Sequence, residues 1–302
     1  MDESYHDVDK GLNEYLGCDM KFNEKRDGIL LHQSHILRGL KKKFEKLVKG
    51  RRHYETPGTP HKNVLRTEDN KIDNERQTLY RSGVGILLYL VKHTKPDLAN
   101  ATRELSKCLD FTSEDTWNEL LRVIKYAIDT DNRGLIIKPE FNGNEWIIEI
   151  WSDSDYAGDP DTRISVGGYV LFIIKVAVSW KSKAQKSVTL SSTEAEFIAL
   201  SEAAKEATFI YQLLKNMGIK VRLPINIYVD NVGAIFMAEN VNTSQRTKHV
   251  DIRYKFVHDY IFDGFIKVTF TKTDDNIADI FTKNVTSELF KKHENKIIGM
   301  EV

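Results

Sequence analysis

Several large classes of protein are excluded by what this sequence has little of. Only two of its 302 residues are cysteine, Cys18 and Cys108. They show no metal-ligand spacing, and such sparse thiols fit a reducing compartment. Long apolar runs are absent. The longest, such as residues 170–174, fall far short of the roughly 20 residues a membrane helix needs, so no membrane partner is expected. The N-terminal M-D-E-S-Y-H-D-V-D is acidic and polar, where a secretory signal needs a basic and then an apolar stretch. Net charge is missing too: 44 Lys and Arg balance 44 Asp and Glu. Bulk electrostatics therefore singles out no partner. With 41% apolar and 29% charged residues the chain is globular in composition, and it is long enough for two domains.

Charge is concentrated locally instead. Residues 38–52 hold eight Lys and Arg against the single acid Glu45. Over 33–48, Ile36, Leu37, Leu40, Phe44, Leu47 and Val48 recur at helical spacing, with Ser34 as a candidate cap. Lys41, Lys42, Lys43 and Lys46 fall on the other face, which serves either as a solvated surface or as one that meets phosphates. Residues 12–20 and 28–31 read as short strands. The stretch T-P-G-T-P-H-K (56–62) is a loop by its proline and glycine, and 64–77 is polar and loose. Helices are expected over 79–92, from Pro96 to about residue 111, and over 114–129. The last has Trp117, Leu120, Leu121, Ile124 and Ile128 on one side and N-cap character at its start. A strand follows at 135–138. Nothing in residues 1–144 has a catalytic arrangement.

In the second half strands and helices alternate. Residues 146–151 (W-I-I-E-I-W) form a strand that delivers Asp153 and Asp155 at its C-terminal end. Strands at 165–174 and 175–180 complete an antiparallel meander, and 181–188 (K-S-K-A-Q-K-S-V) reads as a basic loop. Ser191 with Glu194 fits a capping box for a long helix to Met217, stopped by Gly218. A strand over 225–229 ends in Asp230-Asn231. Helices over 232–239 and 243–262, a strand over 265–271 and a helix over 276–283 follow. This order predicts an α/β (mixed α+β) fold, with a mixed sheet covered by helices on both faces. Functional groups in such sheets gather where strand ends meet helix starts.

Asp153, Glu196, Asp230 and Asp279 all fall at ends of that kind. Singly, each has an ordinary explanation. A strand-end aspartate commonly serves a turn or a cap, and an acid near a helix N-terminus is favoured by the helix dipole. Glu194 is better explained by the capping box than Glu196 is. Jointly they suggest a convergent cluster. Burying carboxylates is costly, and a divalent cation offsets that cost. Hard oxygens suit Mg²⁺ or Mn²⁺ and not zinc. Two such ions about 4 Å apart clamp the attacking water and the leaving oxygen of a phosphodiester. From the residues alone Asp153 and Asp155 are equivalent, because side chains two apart on a strand share a face.

The blocks S-D-S-D-Y-A-G-D-P-D-T-R-I-S-V-G-G-Y-V (152–170), V-S-W-K-S-K-A-Q-K-S-V-T-L-S-S-T-E-A-E-F-I-A-L (178–200), V-D-N-V-G-A-I (229–235), R-T-K-H-V-D-I (246–252) and A-D-I-F-T-K (278–283) stand in the order of a known family. The second half resembles the ribonuclease H domain of copia-type retrotransposon polyproteins. The first half resembles the tail of the same family's reverse transcriptase, through L-N-E-Y-L-G, Y-R-S-G-V-G-I-L-L-Y-L, T-K-P-D-L and I-K-Y-A-I-D-T-D-N-R-G-L. The resemblance implies a ribonuclease H-like three-layer fold with a five-stranded mixed sheet over 145–290. It also implies a mostly helical thumb and connection remnant over 1–140.

The resemblance further implies a catalytic and metal-binding quartet of Asp153, Glu196, Asp230 and Asp279 with two Mg²⁺ or Mn²⁺ ions. Asp155 is then a neighbouring or turn acid, and Asp159 and Asp161 are loop residues with Arg163 as a partner. The expected activity is cleavage of the RNA strand of an RNA–DNA hybrid. Lys181, Lys183, Lys186, Ser192, Arg246, Lys248 and His249 would contact the nucleic acid. Upstream polymerase and integrase portions of the polyprotein are expected partners. The location is expected to be intracellular, in cytoplasmic virus-like particles or the nucleus. Two departures stand out. The segment Lys272-Thr273-Asp274-Asp275-Asn276 has no histidine where retroviral relatives carry a mobile one. No Y-x-D-D polymerase motif precedes Leu12, so DNA synthesis is not expected of this chain. The competing reading is an inactive nucleic-acid-binding fragment of a decayed or domesticated element.

Overall fold

Two five-stranded sheets organise the computed structural model, which describes residues 14–67, 69–141, 143–240 and 248–299, and all of their side chains except those of 248–251. The first half opens with β1 (Glu14–Tyr15), β2 (Cys18–Phe22) and β3 (Ile29–His32). Helices α1 (Ser34–Val48), α2 (Asn74–His93), α3 (Ala99–Ser106) and α4 (Glu114–Asp129) follow, then β4 (Gly134–Ile137). The second half runs β5 (Ile148–Asp155), β6 (Val166–Ile173), β7 (Val176–Ala184), α5 (Ser192–Asn216), β8 (Ile225–Val229), α6 (Val232–Glu239), α7 (Lys248–Phe262) and β9 (Ile266–Phe270). It closes with 3-10 turns at Thr273–Asp275 and Ile277–Phe281, α8 (Ser287–Glu294) and β10 (Ile298–Gly299).

The second sheet has the order β7-β6-β5-β8-β9. β5, β6 and β7 pair antiparallel, and β8 and β9 add in parallel. This is the mixed sheet that the order of elements predicts. Alternation along its strands sorts side chains between two cores. Ile148 and Ile150 of β5 and Tyr169 and Leu171 of β6 pack with α5, α6 and α7. Trp151, Val170 and Phe172 face the other way, into the core built by α1–α4. The two halves therefore share a core.

Local chemistry explains where the elements depart from the sequence reading. Helix α2 begins at Asn74, inside the stretch read as loose, because the Asp73 side chain accepts from the Arg76 N–H at 2.8 Å and caps it. Strand β7 continues to Ala184, so Lys181 and Lys183 lie on an edge strand and not in a loop. Charged side chains are what an edge tolerates. Ser34 does not cap α1; its N–H donates to Asp19 at 3.0 Å, and its hydroxyl donates to the same carboxylate. The segment expected to be a helix over 276–283 is a 3-10 turn. The first half also holds an antiparallel sheet of order β1-β2-β3-β4-β10. Its last strand comes from the far end of the chain, with Ile298 opposite Leu135. The preceding α8 is fastened to α4 and to the residue before β4: Glu294 accepts from the Tyr126 hydroxyl at 2.8 Å and from Arg133 at 2.7 Å.

Candidate metal centre

β5 and β8 are parallel neighbours in the middle of the sheet, so their C-terminal ends open side by side. β5 carries Asp153 close to its end, and Asp230 follows β8 directly. The turn Ile277–Phe281 packs across β5 and β6 there and brings Asp279. One carboxylate oxygen from each of Asp153, Asp230 and Asp279 lies within 4.8 Å of the others. Asp153 and Asp279 are each 1% exposed.

Caps decide which acids are available. Asn231 caps α6, accepting from the Ala234 N–H at 2.9 Å, which leaves Asp230 to the cluster. Ser191 caps α5 through the Glu194 N–H at 3.1 Å, and Glu194 accepts from the Leu190 N–H at 2.8 Å. Glu194 is thus occupied in the box, while Glu196 faces the sheet. Its Oε1 accepts from the Ser154 N–H at 3.1 Å; its Oε2 is buried without a hydrogen-bond partner. Asn276 caps the turn that bears Asp279 and donates to the Ser152 carbonyl at 3.0 Å, tying that turn to β5.

The electrostatics are those of crowded, desolvated acids. Burial, then the Asp153 charge, raises Asp279 to about 8. Burial with Asp153 and Asp230 holds Glu196 well above the ordinary carboxylate range. Burial and Asp153 raise Asp230 as well. Asp155 is also raised, chiefly by burial, with Lys283 opposing.

Two residues that the sequence reading did not single out belong to this site. The Thr282 hydroxyl donates to Asp153. The Lys283 ammonium lies 3.1 Å from Asp279 and 3.9 Å from Asp153. Burial pulls Lys283 down, but the surrounding carboxylates outweigh it and hold the ammonium protonated. Lys283 follows Asp279 by four positions, the spacing of an acid–base pair along a helix, and that spacing was the available signal.

This donor set fits a divalent cation. The carboxylates are hard oxygens, three of them converge over a span near the roughly 4 Å between two ligands of one ion, and Glu196 offers an unpartnered buried oxygen.

The expected nucleic-acid contacts are distributed. Lys181, Lys183 and Lys186 line a cavity of about 320 Å³ between β6, β7 and α5, joined by Lys205 and Arg253. Lys181 also pairs with Glu202 at 3.2 Å, so its charge is partly answered. Ser192 is the exposed first residue of α5, one turn ahead of Glu196. Arg246 lies outside the described residues, as do the side chains of Lys248 and His249.

The acidic turn after β5 behaves differently from expectation. Asp159 pairs at 2.8 Å with Lys107, the residue that ends α3, and not with the Arg163 side chain. Burial opposes ionisation of Asp159, but Lys107 and the Thr162 N–H override it and lower the carboxyl to about 2. Asp161 accepts from the Arg66 N–H at 3.3 Å. The turn is a docking point for the first half.

No protein-family model matches the chain. It is 37% identical over 220 residues to the retrovirus-related Pol polyprotein from transposon RE2 of Arabidopsis thaliana, a match covering 73% of this chain and 15% of that protein. It is 34% identical over 227 residues to the retrovirus-related Pol polyprotein from transposon TNT 1-94 of Nicotiana tabacum, covering 75% of this chain and 17% of that one. Among solved structures, LC11-RNase H1 in complex with an RNA/DNA hybrid aligns with 47% of this chain and 97% of its own, at 14% identity and a TM-score of 0.35.

Proposed function

Because the chain belongs to the copia-type retrotransposon Pol polyproteins, and spans 15–17% of the length of the relatives described above, we propose that it is a ribonuclease H that cuts the RNA strand of an RNA–DNA hybrid with the help of divalent ions. The observation that carries this reading is the convergence of Asp153, Asp230 and Asp279 within 4.8 Å at the C-terminal ends of β5 and β8, with Glu196 beside them.

In this reading Asp153, Glu196, Asp230 and Asp279 hold two Mg²⁺ or Mn²⁺ ions. Bound there, the ions would supply Lewis acidity that eases deprotonation of the attacking water and stabilises the leaving oxygen. The protein's own part is positional. Thr282 fixes the Asp153 carboxylate through its hydroxyl, and Ser154 fixes Glu196 through its N–H. Lys183, Lys186, Lys205 and Arg253 present donors to a phosphate backbone along the cavity beside α5. Arg246, Lys248 and His249 would add to that grip. Hybrid recognition rests on shape and on 2′-hydroxyl groups, as is general for double-helical RNA. No serine or cysteine nucleophile is needed.

The test is cleavage of a labelled RNA–DNA hybrid by the purified chain with Mg²⁺. Cleavage confined to the RNA strand, abolished by EDTA and by Asp153→Asn, is the expected result. Full activity in Asp153→Asn would refute the assignment. Tight hybrid binding without cleavage would favour the inactive fragment.

A further inference from the structure

Asn284, the residue after Lys283, is held by the first half of the chain. Its Oδ1 accepts from Nδ2 of Asn100, on α3, at 3.0 Å. Its Nδ2 donates to the Lys62 carbonyl at 2.7 Å. Its own carbonyl accepts from the His61 N–H at 2.7 Å. His61 and Lys62 close the stretch T-P-G-T-P-H-K, which the sequence marks only as a loop. That loop is itself braced. Arg122 of α4 donates to the carbonyls of Thr56 at 3.1 Å, Pro57 at 3.2 Å and Gly58 at 3.1 Å, and lies 4.4 Å over the Tyr54 ring. Gly58 leaves room for the contact: a Cβ there would sit 2.3 Å from Asn284 Oδ1.

The segment that Asn284 terminates carries Asp279, Thr282 and Lys283. Its apolar residues Ile277, Ile280 and Phe281, and Val285 just beyond Asn284, are buried in the core shared with α1–α4. To serve as a ligand Asp279 has to ionise beside two other carboxylates, which then repel it. A five-residue 3-10 turn has weak hydrogen-bond geometry and resists such a push poorly. An anchor outside the turn removes that freedom, and ligands supported in this way keep their geometry.

We propose that Asn284 and the loop 56–62 form a positioning clamp that holds the Asp279–Lys283 segment against Asp153. The competence of the carboxylate centre then depends on the first half of the chain. This inference rests on the nuclease reading. Asn284 is a positioning residue: it reaches the centre only through its neighbours in sequence.

The test uses the full chain and two readouts, Mn²⁺ binding without substrate, followed by the EPR signal of free Mn²⁺, and steady-state cleavage of an RNA–DNA hybrid. Asn284→Ala is expected to weaken Mn²⁺ binding and lower kcat by about 10- to 100-fold each, the range seen when groups orienting metal ligands are lost, with KM for the hybrid within about twofold. Gly58→Ala should act likewise, because its new Cβ collides with Asn284. Added to Asn284→Ala it should cost little more, since the collision partner is gone. Should Gly58→Ala fail to fold, Asn100→Ala removes one anchor without adding an atom and is expected to weaken Mn²⁺ binding in a folded protein. The clamp is overturned if the folded variants bind Mn²⁺ and turn over like the parent chain while Asp279→Asn loses both. If Asp279→Asn also binds Mn²⁺ and cleaves normally, the nuclease reading falls with it.

Discussion

The ammonium of Lys283 stands 3.1 Å from a carboxylate oxygen of Asp279, so a lysine lies within the candidate cation site. With no other cation present, that charge relieves part of the repulsion among the carboxylates. Lys283→Gln should therefore lower the stability of the EDTA-treated protein by about 1–2 kcal/mol, a figure discounted for the partly exposed ammonium. The rise in melting temperature on adding Mg²⁺ should be larger in this variant than in the parent chain. Melting curves with EDTA and with Mg²⁺ measure both. An equal Mg²⁺ response in the two proteins would mean that Lys283 does not compensate the carboxylates.

Asp279 gives the metal-free protein a pH dependence of definite sign. Its carboxyl is raised from 3.8 to about 8 on folding. Between those values the folded state keeps a proton that the unfolded chain has lost. The contribution to stability is therefore full at the acid end and is lost as pH rises to about 8. Asp279→Asn cannot ionise and lacks this slope. Urea unfolding in EDTA should show the variant gaining on the parent chain as pH rises from roughly 5 to 8, by up to about 4 kcal/mol at about 1.4 kcal/mol per pH unit. A gap that is constant with pH would contradict the raised carboxyl.

Gly168 is the point where β6 lets the Asp279 turn approach. A Cβ there would lie 2.8 Å from the Phe281 Cβ and 2.9 Å from the Thr282 Cγ2. Gly168→Ala should destabilise the protein by about 1–3 kcal/mol through overpacking. It should also weaken Mg²⁺-induced stabilisation, because Thr282 is pushed from Asp153. Denaturant titrations with and without Mg²⁺ separate the two effects.

Glu294 ties α8 to Tyr126 of α4 and to Arg133, and it is 2% exposed. Glu294→Ala leaves a guanidinium and a phenol without their acceptor. The expected loss is about 3 kcal/mol, at the low end for breaking a buried ionic pair because Arg133 is partly exposed. Chemical denaturation gives the value, and a loss below about 0.5 kcal/mol would show that water replaces the contact.

Much of the second half was legible because its pattern is local. The edges of β8 and α6 follow from I-N-I-Y-V and from Asn231, and the start of α5 follows from Ser191 with Glu194. The four acids were visible for the same reason, each lying at a recognisable element end. What was not legible depends on partners distant in sequence. Asp159 turns to Lys107, Asn284 to Asn100, and the two-residue β10 is a strand only because β4 lies beside it. Lys181 and Lys183 read as loop residues because an edge strand can carry charge without an alternating apolar face.

The pairing of β10 with β4 bears on how this chain is made. During synthesis α1 to α4 emerge early, yet their core also takes Phe290, Ile297 and Ile298 from the last part of the chain. A ribosome that has delivered only the first half therefore holds an unfinished unit with apolar surface still open, and completion waits for Phe290, Ile297 and Ile298, which follow the whole second sheet in the chain. Long-range closure of this kind slows folding and lengthens exposure to aggregation. The first half is thus complete only once the second has been made.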